Sequence, residues 1–121
     1  MQFLLLIHHV ESERYARNSD EEAAVYNEYR QLMQELSAGG KLLGGDELKP
    51  TSSATTIRVR NGKRTVTDGP FAETKEQLGG YFLVNVNDLD EALAIAARIP
   101  TARTGSIEVR PVKAREQAAK T

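Results

Sequence analysis

The chain contains no cysteine. Disulfides, thiolate metal sites and cysteine nucleophiles are therefore excluded by inventory, and a reducing compartment is compatible with the composition. Long apolar runs are also missing. The longest at the N-terminus, Phe3 to Ile7, has five residues, against the roughly 20 needed to span a bilayer. No basic region precedes it and no small-residue cleavage pattern follows in MQFLLLIHHVESER, so it reads as a first strand and the protein as cytoplasmic. Neither sign of charge dominates. Sixteen basic and 17 acidic residues leave a net charge of -1 with no long block of one sign, which argues against nucleic acid or a membrane surface as partner. Histidine is scarce, with only the adjacent His8 and His9, and no His-rich spacing builds a metal site. The pairs Gly39-Gly40, Gly44-Gly45 and Gly79-Gly80 lack the spacing of a phosphate loop or dinucleotide fingerprint, and no G-x-S-x-G elbow is present.

What is present suffices for one globular domain. A chain of 121 residues can bury roughly two thirds of the surface its unfolded form exposes. The apolar run Phe3 to Ile7 predicts a central strand buried on both faces. Ser19 followed by Glu22 forms a capping box, and Val25, Tyr29, Leu32, Met33 and Leu36 recur at helical spacing, so a helix is expected from about Asp20 to Ser37. Gly39 and Gly40 stop it. Leu42 and Leu43 begin a second strand, expected to fade into Gly44, Gly45 and Asp46.

Asn61-Gly62 is flanked by Thr56 to Arg60 and Lys63 to Thr67, and predicts a tight hairpin with Ile57 facing Val66 and Arg58 facing Thr65. After the turn cluster Asp68-Gly69-Pro70-Phe71, the segment from Ala72 to Gln77 has room for one helical turn that Gly79 and Gly80 would end. Tyr81 to Val86 reads as a strand with Phe82, Val84 and Val86 on one face. Asp88 followed by Glu91 opens a second helix, with Leu89, Leu93, Ala96 and Ile99 along one face, closed by Pro100. Ser106 to Arg110 alternates as a final strand.

The order predicts an α+β fold, a ferredoxin-like antiparallel sheet with two helices on one face and an inserted β-hairpin. A single domain is expected over 1–112, with a mobile tail over 113–121. Two helices cover one face only. The apolar first strand therefore suggests that the other face packs on the sheet of a second copy, as a homodimer.

DGPFAETKE, from Asp68 to Glu76, is followed by Gln77-Leu78-Gly79-Gly80-Tyr81. Together with the opening FLLLI, the Gly40-Lys41-Leu42-Leu43 turn and the late strand Ser106 to Pro111, this resembles the YCII-related family, specifically its DGPF branch. The resemblance covers nearly the whole chain up to Val112. It implies a dimeric α+β barrel in which two ferredoxin-like sheets enclose a cleft, small acid/base enzymes acting on cyclic or aromatic metabolites, and an association with extracytoplasmic-type sigma factors. The family's better-studied pattern carries a histidine on the first helix, paired with an aspartate, and counting back from Gly40-Lys41-Leu42-Leu43 places that histidine at or near Tyr29. Helix one has no histidine. The dyad therefore cannot be carried over.

The expected chemistry is that of a cofactor-free acid/base enzyme acting on a small cyclic or aromatic molecule in the dimer cleft. The alternative is a non-enzymatic ligand-binding or regulatory module beside a sigma factor. Candidate catalytic groups are Asp68, Glu73 and the strand-end His8. Candidate ligand contacts are Tyr29, Asp46, Phe71, Lys75 and Arg58; no metal ligand and no cofactor site is expected. Each has a bland reading. Asp68, Gly69 and Pro70 together fix a sharp turn with no ligand needed. Strand-end histidines usually make ordinary hydrogen bonds, and since His8 and His9 point to opposite faces only one can meet a cleft. Tyr26 and Tyr29 suit a core edge. Arg58 and Arg110 are expected to pair with carboxylates, or else to hold an anionic substrate.

Overall fold

The computed structural model describes residues 1–115. Its strands are β1 (Gln2–His9), β2 (Leu42–Glu47), β3 (Thr55–Arg60), β4 (Lys63–Asp68), β5 (Gln77–Asn85) and β6 (Ser106–Pro111), and its helices α1 (Asp20–Ala38) and α2 (Leu89–Arg98). The expected mobile tail falls largely on residues outside the described ones.

Local chemistry sets the helix ends. The Ser19 hydroxyl accepts from the Glu22 amide at 3.1 Å, and the Glu22 carboxylate accepts from the Asn18 amide at 3.0 Å, so two of the free amides at the start of α1 are satisfied. Gly40, with φ 71°, provides the left-handed exit, after which the Lys41 amide donates to the Leu36 carbonyl at 2.8 Å. At α2 the Asp88 carboxylate accepts from the Glu91 amide at 2.9 Å.

The main sheet has the order β2-β5-β1-β6, with every neighbouring pair antiparallel. This is the ferredoxin-like plan, with β1 central as its apolar run requires. Phe3, Leu5 and Ile7 of β1 and Phe82 and Val84 of β5 point to one face, where they bury against Leu32 and Leu36 of α1 and Ala92, Ile95 and Ala96 of α2. The other face carries half-buried Leu4, Leu6, Tyr81 and Leu83 and no helix.

The hairpin β3–β4 stands apart as its own two-stranded sheet. Asn61 (φ 53°) and Gly62 (φ 74°) make the left-handed turn, and Ile57 faces Val66 and Arg58 faces Thr65, as read from the sequence. Its side chains lie largely outside the core.

Three expectations are corrected. α2 does not pack through Leu89 and Leu93, which stay 49% and 46% exposed; Ala92, Ile95, Ala96 and Ile99 face the sheet. Both stripes satisfy helical spacing and share Ala96 and Ile99. The small Ala92 and Ala96 let the helix approach closely, and this closer packing sets the rotation. The segment before Gly79 contains no helical turn, and Gly79 and Gly80 end nothing: both lie inside β5, which starts at Gln77. Gly79 is the extra residue of a bulge opposite Ile7 and His8, and a Cβ on Gly80 would stand 2.9 Å from the Asp46 carbonyl, so close pairing with β2 demands glycine there. That pairing also carries β2 past Gly44 and Gly45 to Glu47.

Candidate functional site

Where β1, β2 and β5 end together under the start of α1, the inner face is lined by Gly45, Gly79 and Gly80. Three missing side chains leave room, and the space is a cavity of 390 Å³. Its floor includes Ile7 and Phe82, one wall is Val25, Tyr26, Tyr29 and Met33 of α1, and the mouth is bordered by the segments around Glu11 to Tyr15 and Glu47 to Pro50. The size suits a small organic molecule, with an apolar floor and polar side chains gathered toward the mouth.

The strap over the mouth, a single 3-10 turn at Glu11–Glu13, is tied down by side chains. The Thr51 amide donates to the Glu11 carboxylate at 3.1 Å, and Arg14 lies 3.6 Å from the carboxylate of Glu47. Burial pushes the Glu11 carboxyl up, but the hydrogen bonding from Thr51 and the nearby His9 and Arg14 outweigh it and hold the group below the usual range. The strap therefore carries a fixed negative charge at neutral pH.

On the helix wall the Tyr26 hydroxyl bonds both oxygens of Glu47, at 2.9 and 2.8 Å. Burial, reinforced by that carboxylate, raises its pKa. Tyr29 meets the Thr101 hydroxyl at 2.5 Å and stands edge-on to Phe82 with ring centroids 6.2 Å apart. Burial raises the Tyr29 pKa against the opposing effect of Thr101. A raised acid pKa contributes stability that is whole below the unfolded value near 10 and is lost as pH climbs through the folded one. Absorbance titration at alkaline pH should therefore show Tyr26 and Tyr29 ionising late. A single unsplit transition near pH 10 would contradict this environment.

His9 reaches the cavity with its ring lying across Gly79, so closely that a Cβ there would be 2.5 Å from Nε2. His8 goes the other way. It lies on the helix-free face, 3.5 Å from the Glu108 carboxylate. Of the candidate residues named from the sequence, Tyr29 lines the cavity; Asp46 borders it by its main chain only, its carboxylate lying on the helix-free face with the Tyr81 hydroxyl 3.5 Å away, and His8, Arg58, Asp68, Phe71, Glu73 and Lys75 are not part of it. Asp68 and Glu73 are exposed. The Asp68-Gly69 turn closes the hairpin base, with the Gly69 amide donating to the Ala54 carbonyl at 2.7 Å and the Thr56 hydroxyl to the Gly69 carbonyl at 2.8 Å. Arg58 donates to the Phe71 carbonyl at 3.4 Å, and neither it nor Arg110 forms the expected pair with a carboxylate among the described residues. Both residues are exposed, so water solvates the guanidinium and no burial forces pairing.

Tyr15, Glu47 and Thr101 escaped the sequence reading. Tyr15 lies in a segment with no periodicity, and the other two come to the site through strand pairing and chain reversal. Among the described residues, no three His, Asp or Glu side chains are grouped to hold a metal ion, and no helix is long and apolar enough to cross a membrane.

Fold and site together describe a small α+β domain with a cavity between sheet and helix that opens at one end. The chain belongs to the YCII-related family, whose domain it matches over residues 1–116. It is 40% identical over 114 residues to an uncharacterized protein of Rhizobium meliloti (strain 1021), covering 93% of this chain and 92% of that protein. Among solved structures it is similar to 5-chloro-2-hydroxyhydroquinone dehydrochlorinase from Burkholderia phenoliruptrix AC1100 in complex with 2,5-dihydroxybenzoquinone. That similarity has 15% sequence identity and a TM-score of 0.46, over 93% of this chain and 94% of the other.

Proposed function

We propose that the protein is a cofactor-free enzyme that performs proton transfer on a small cyclic or aromatic molecule in the cavity beneath α1. The observation that carries this reading is the convergence of His9, Tyr29 and the Tyr26–Glu47 pair on one apolar space. Neutral imidazole is a suitable proton acceptor near neutrality. Tyr29, kept protonated by burial, is a donor to an oxygen that gains negative charge. In this reading Asp68 closes the hairpin base, Glu73 is solvent-exposed, and His8 belongs to the opposite face.

That opposite face, with Leu4, Leu6, Tyr81 and Leu83, suits a second copy of the chain. Homodimerisation would remove it from water. Light scattering at micromolar concentration should return twice the chain mass, and a monomer would remove the proposal.

The enzymatic reading is tested by following backbone NMR shifts of the whole chain against a panel of cyclic and aromatic compounds. Shifts should gather at Gly79, Gly80 and α1, and any turnover found should fall at least about 100-fold in His9→Ala and leave Glu73→Gln unaffected. Shifts confined to the helix-free face, or turnover that tolerates loss of His9, would overturn it. A regulatory module that docks a protein partner, such as a sigma factor, rests on a different observation: the exposed hairpin with Ile57, Val59 and Val66 uncovered. Partner capture that survives His9→Ala and is lost in Ile57→Asp would favour it.

A further inference from the structure

Taken alone, the hairpin β3–β4 is a poorly supported element. No strand of the main sheet pairs with it, and two strands by themselves are marginal in water. Ile57, Val59 and Val66 share one of its faces and stay 55%, 59% and 54% exposed. Toward the tip Arg60 stands directly opposite Lys63, a like-charge pair that weakens the hairpin further. Of the chain's 16 basic and 17 acidic residues, four basic and one acidic lie between Thr55 and Asp68, so a basic arm is attached to an acidic body. Among the described residues, none of Arg58, Arg60, Lys63 and Arg64 has a carboxylate within ion-pair distance.

The complementary surface borders the mouth of the cavity. Tyr15, Tyr26 and Leu78 are each 40% exposed there and Leu48 is 41% exposed. Glu11, Glu13, Glu22 and Glu47 line the same region against Arg14 and Lys49 as cations. Glu11, Glu22 and Glu47 are engaged by the Thr51 amide, the Asn18 amide and the Tyr26 hydroxyl, whereas Glu13 is exposed and, among the described residues, meets no cation. The arm does not cover this mouth in its own chain, since no residue from Thr55 to Asp68 borders the cavity. Its root is fixed instead: Glu11 holds the Thr51 amide, and the 3-10 turn Thr51–Ser53 leads straight into β3. A basic arm with uncovered valines and an acidic mouth with uncovered tyrosines and leucines thus belong to one chain without meeting. A nucleic acid would match the arm alone. A second copy of the chain matches both, and exchange around a two-fold axis would cover both arms and both mouths at once.

We propose that in the homodimer the distal half of each arm lies across the cavity mouth of the other copy, with Val59 on Leu48 and Tyr15 and with Arg64, which faces Val59 across the strand pair, beside Glu13. This builds on the reading of the cavity as the ligand site and names what completes it: the partner subunit supplies the fourth side of the mouth.

Because the chain has no cysteine, single cysteines report the contact without background. Val59→Cys and Leu48→Cys chains, mixed in equal amounts with oxidised glutathione, should form a dimer linked from 59 to 48 at least about tenfold faster than either variant links to itself, and more slowly as salt is raised to about 0.5 M. Glu13→Lys in the Leu48→Cys chain should slow the linkage, and Arg64→Glu in the Val59→Cys chain should restore it. A chain carrying both cysteines should give linked dimers; linkage within one chain, at the mass of a monomer, would mean that the arm closes its own cavity and would overturn the exchange. Equal rates for mixed and self-linked pairs would overturn it too and leave the arm to a different partner. In either case the cavity reading is judged separately: shifts at Gly79 and Gly80 with the aromatic panel keep it standing, and their absence removes both.

Discussion

Gly105→Ala is expected to lower stability by about 3 kcal/mol, enough to drop the melting temperature of a domain this size by about 10 °C. A Cβ on Gly105 would stand 2.1 Å from the His8 carbonyl oxygen and 3.2 Å from the His9 Cα. Neither neighbour is the free end of a side chain. Relief requires the start of β6 to separate from the end of β1, at the point where His8 pairs with Ser106. The displacement also reaches the cavity, because β1 ends in His9, whose ring lies across Gly79. Thermal denaturation followed by circular dichroism measures the first effect, and the chemical shifts of the His9 ring report the second. A melt unchanged within about 2 °C would mean that the strand ends yield without cost.

Leu5→Ala should cost about 2 to 5 kcal/mol. Leu5 is fully buried on the central strand, between Phe82 of β5 and Val109 of β6 in register, so no neighbour can move in to fill the space. Against a typical total of roughly 5 to 15 kcal/mol, a loss of this size removes a large share of the folded population's margin. Ile57→Ala provides the contrast. That side chain is also large and aliphatic but 55% exposed on the detached hairpin, and its truncation should change stability by less than about 0.5 kcal/mol. Urea midpoints for the two variants test the pair, and equal shifts would mean that the hairpin is packed more tightly than its exposure indicates.

The scaffold was legible because its signals are local. Ser19 and Glu22, Asp88 and Glu91, and Asn61-Gly62 each declare an element within four residues, and all three appear where expected. The apolar run Phe3 to Ile7 placed β1 at the centre of the sheet for the same reason. Rotation of α2 was not legible, since leucines and alanines offered competing stripes and only packing distance chooses between them. The site was less legible still. Tyr26 and Glu47 meet across 21 positions and Tyr29 and Thr101 across 72, contacts that no periodicity announces. Glycine pairs that resemble turn punctuation proved to be strand residues chosen for having nothing to project. Strand alternation did show that His8 and His9 part company; which of them met a pocket depended on the side of the sheet where the pocket lies.

The three glycines of the cavity floor differ in how freely they can change. A methyl group on Gly45 would press on the Tyr81 carbonyl as well as the Phe82 ring, and one on Gly80 would meet the Asp46 carbonyl, so both are held by main chain. At Gly79 the nearest atoms all belong to the His9 ring, which can swing aside. A single-step change there would reshape the chamber and reorient the imidazole while sparing the scaffold. Position 79 is thus the place where a descendant lineage can alter the shape of this chamber with the least risk to folding.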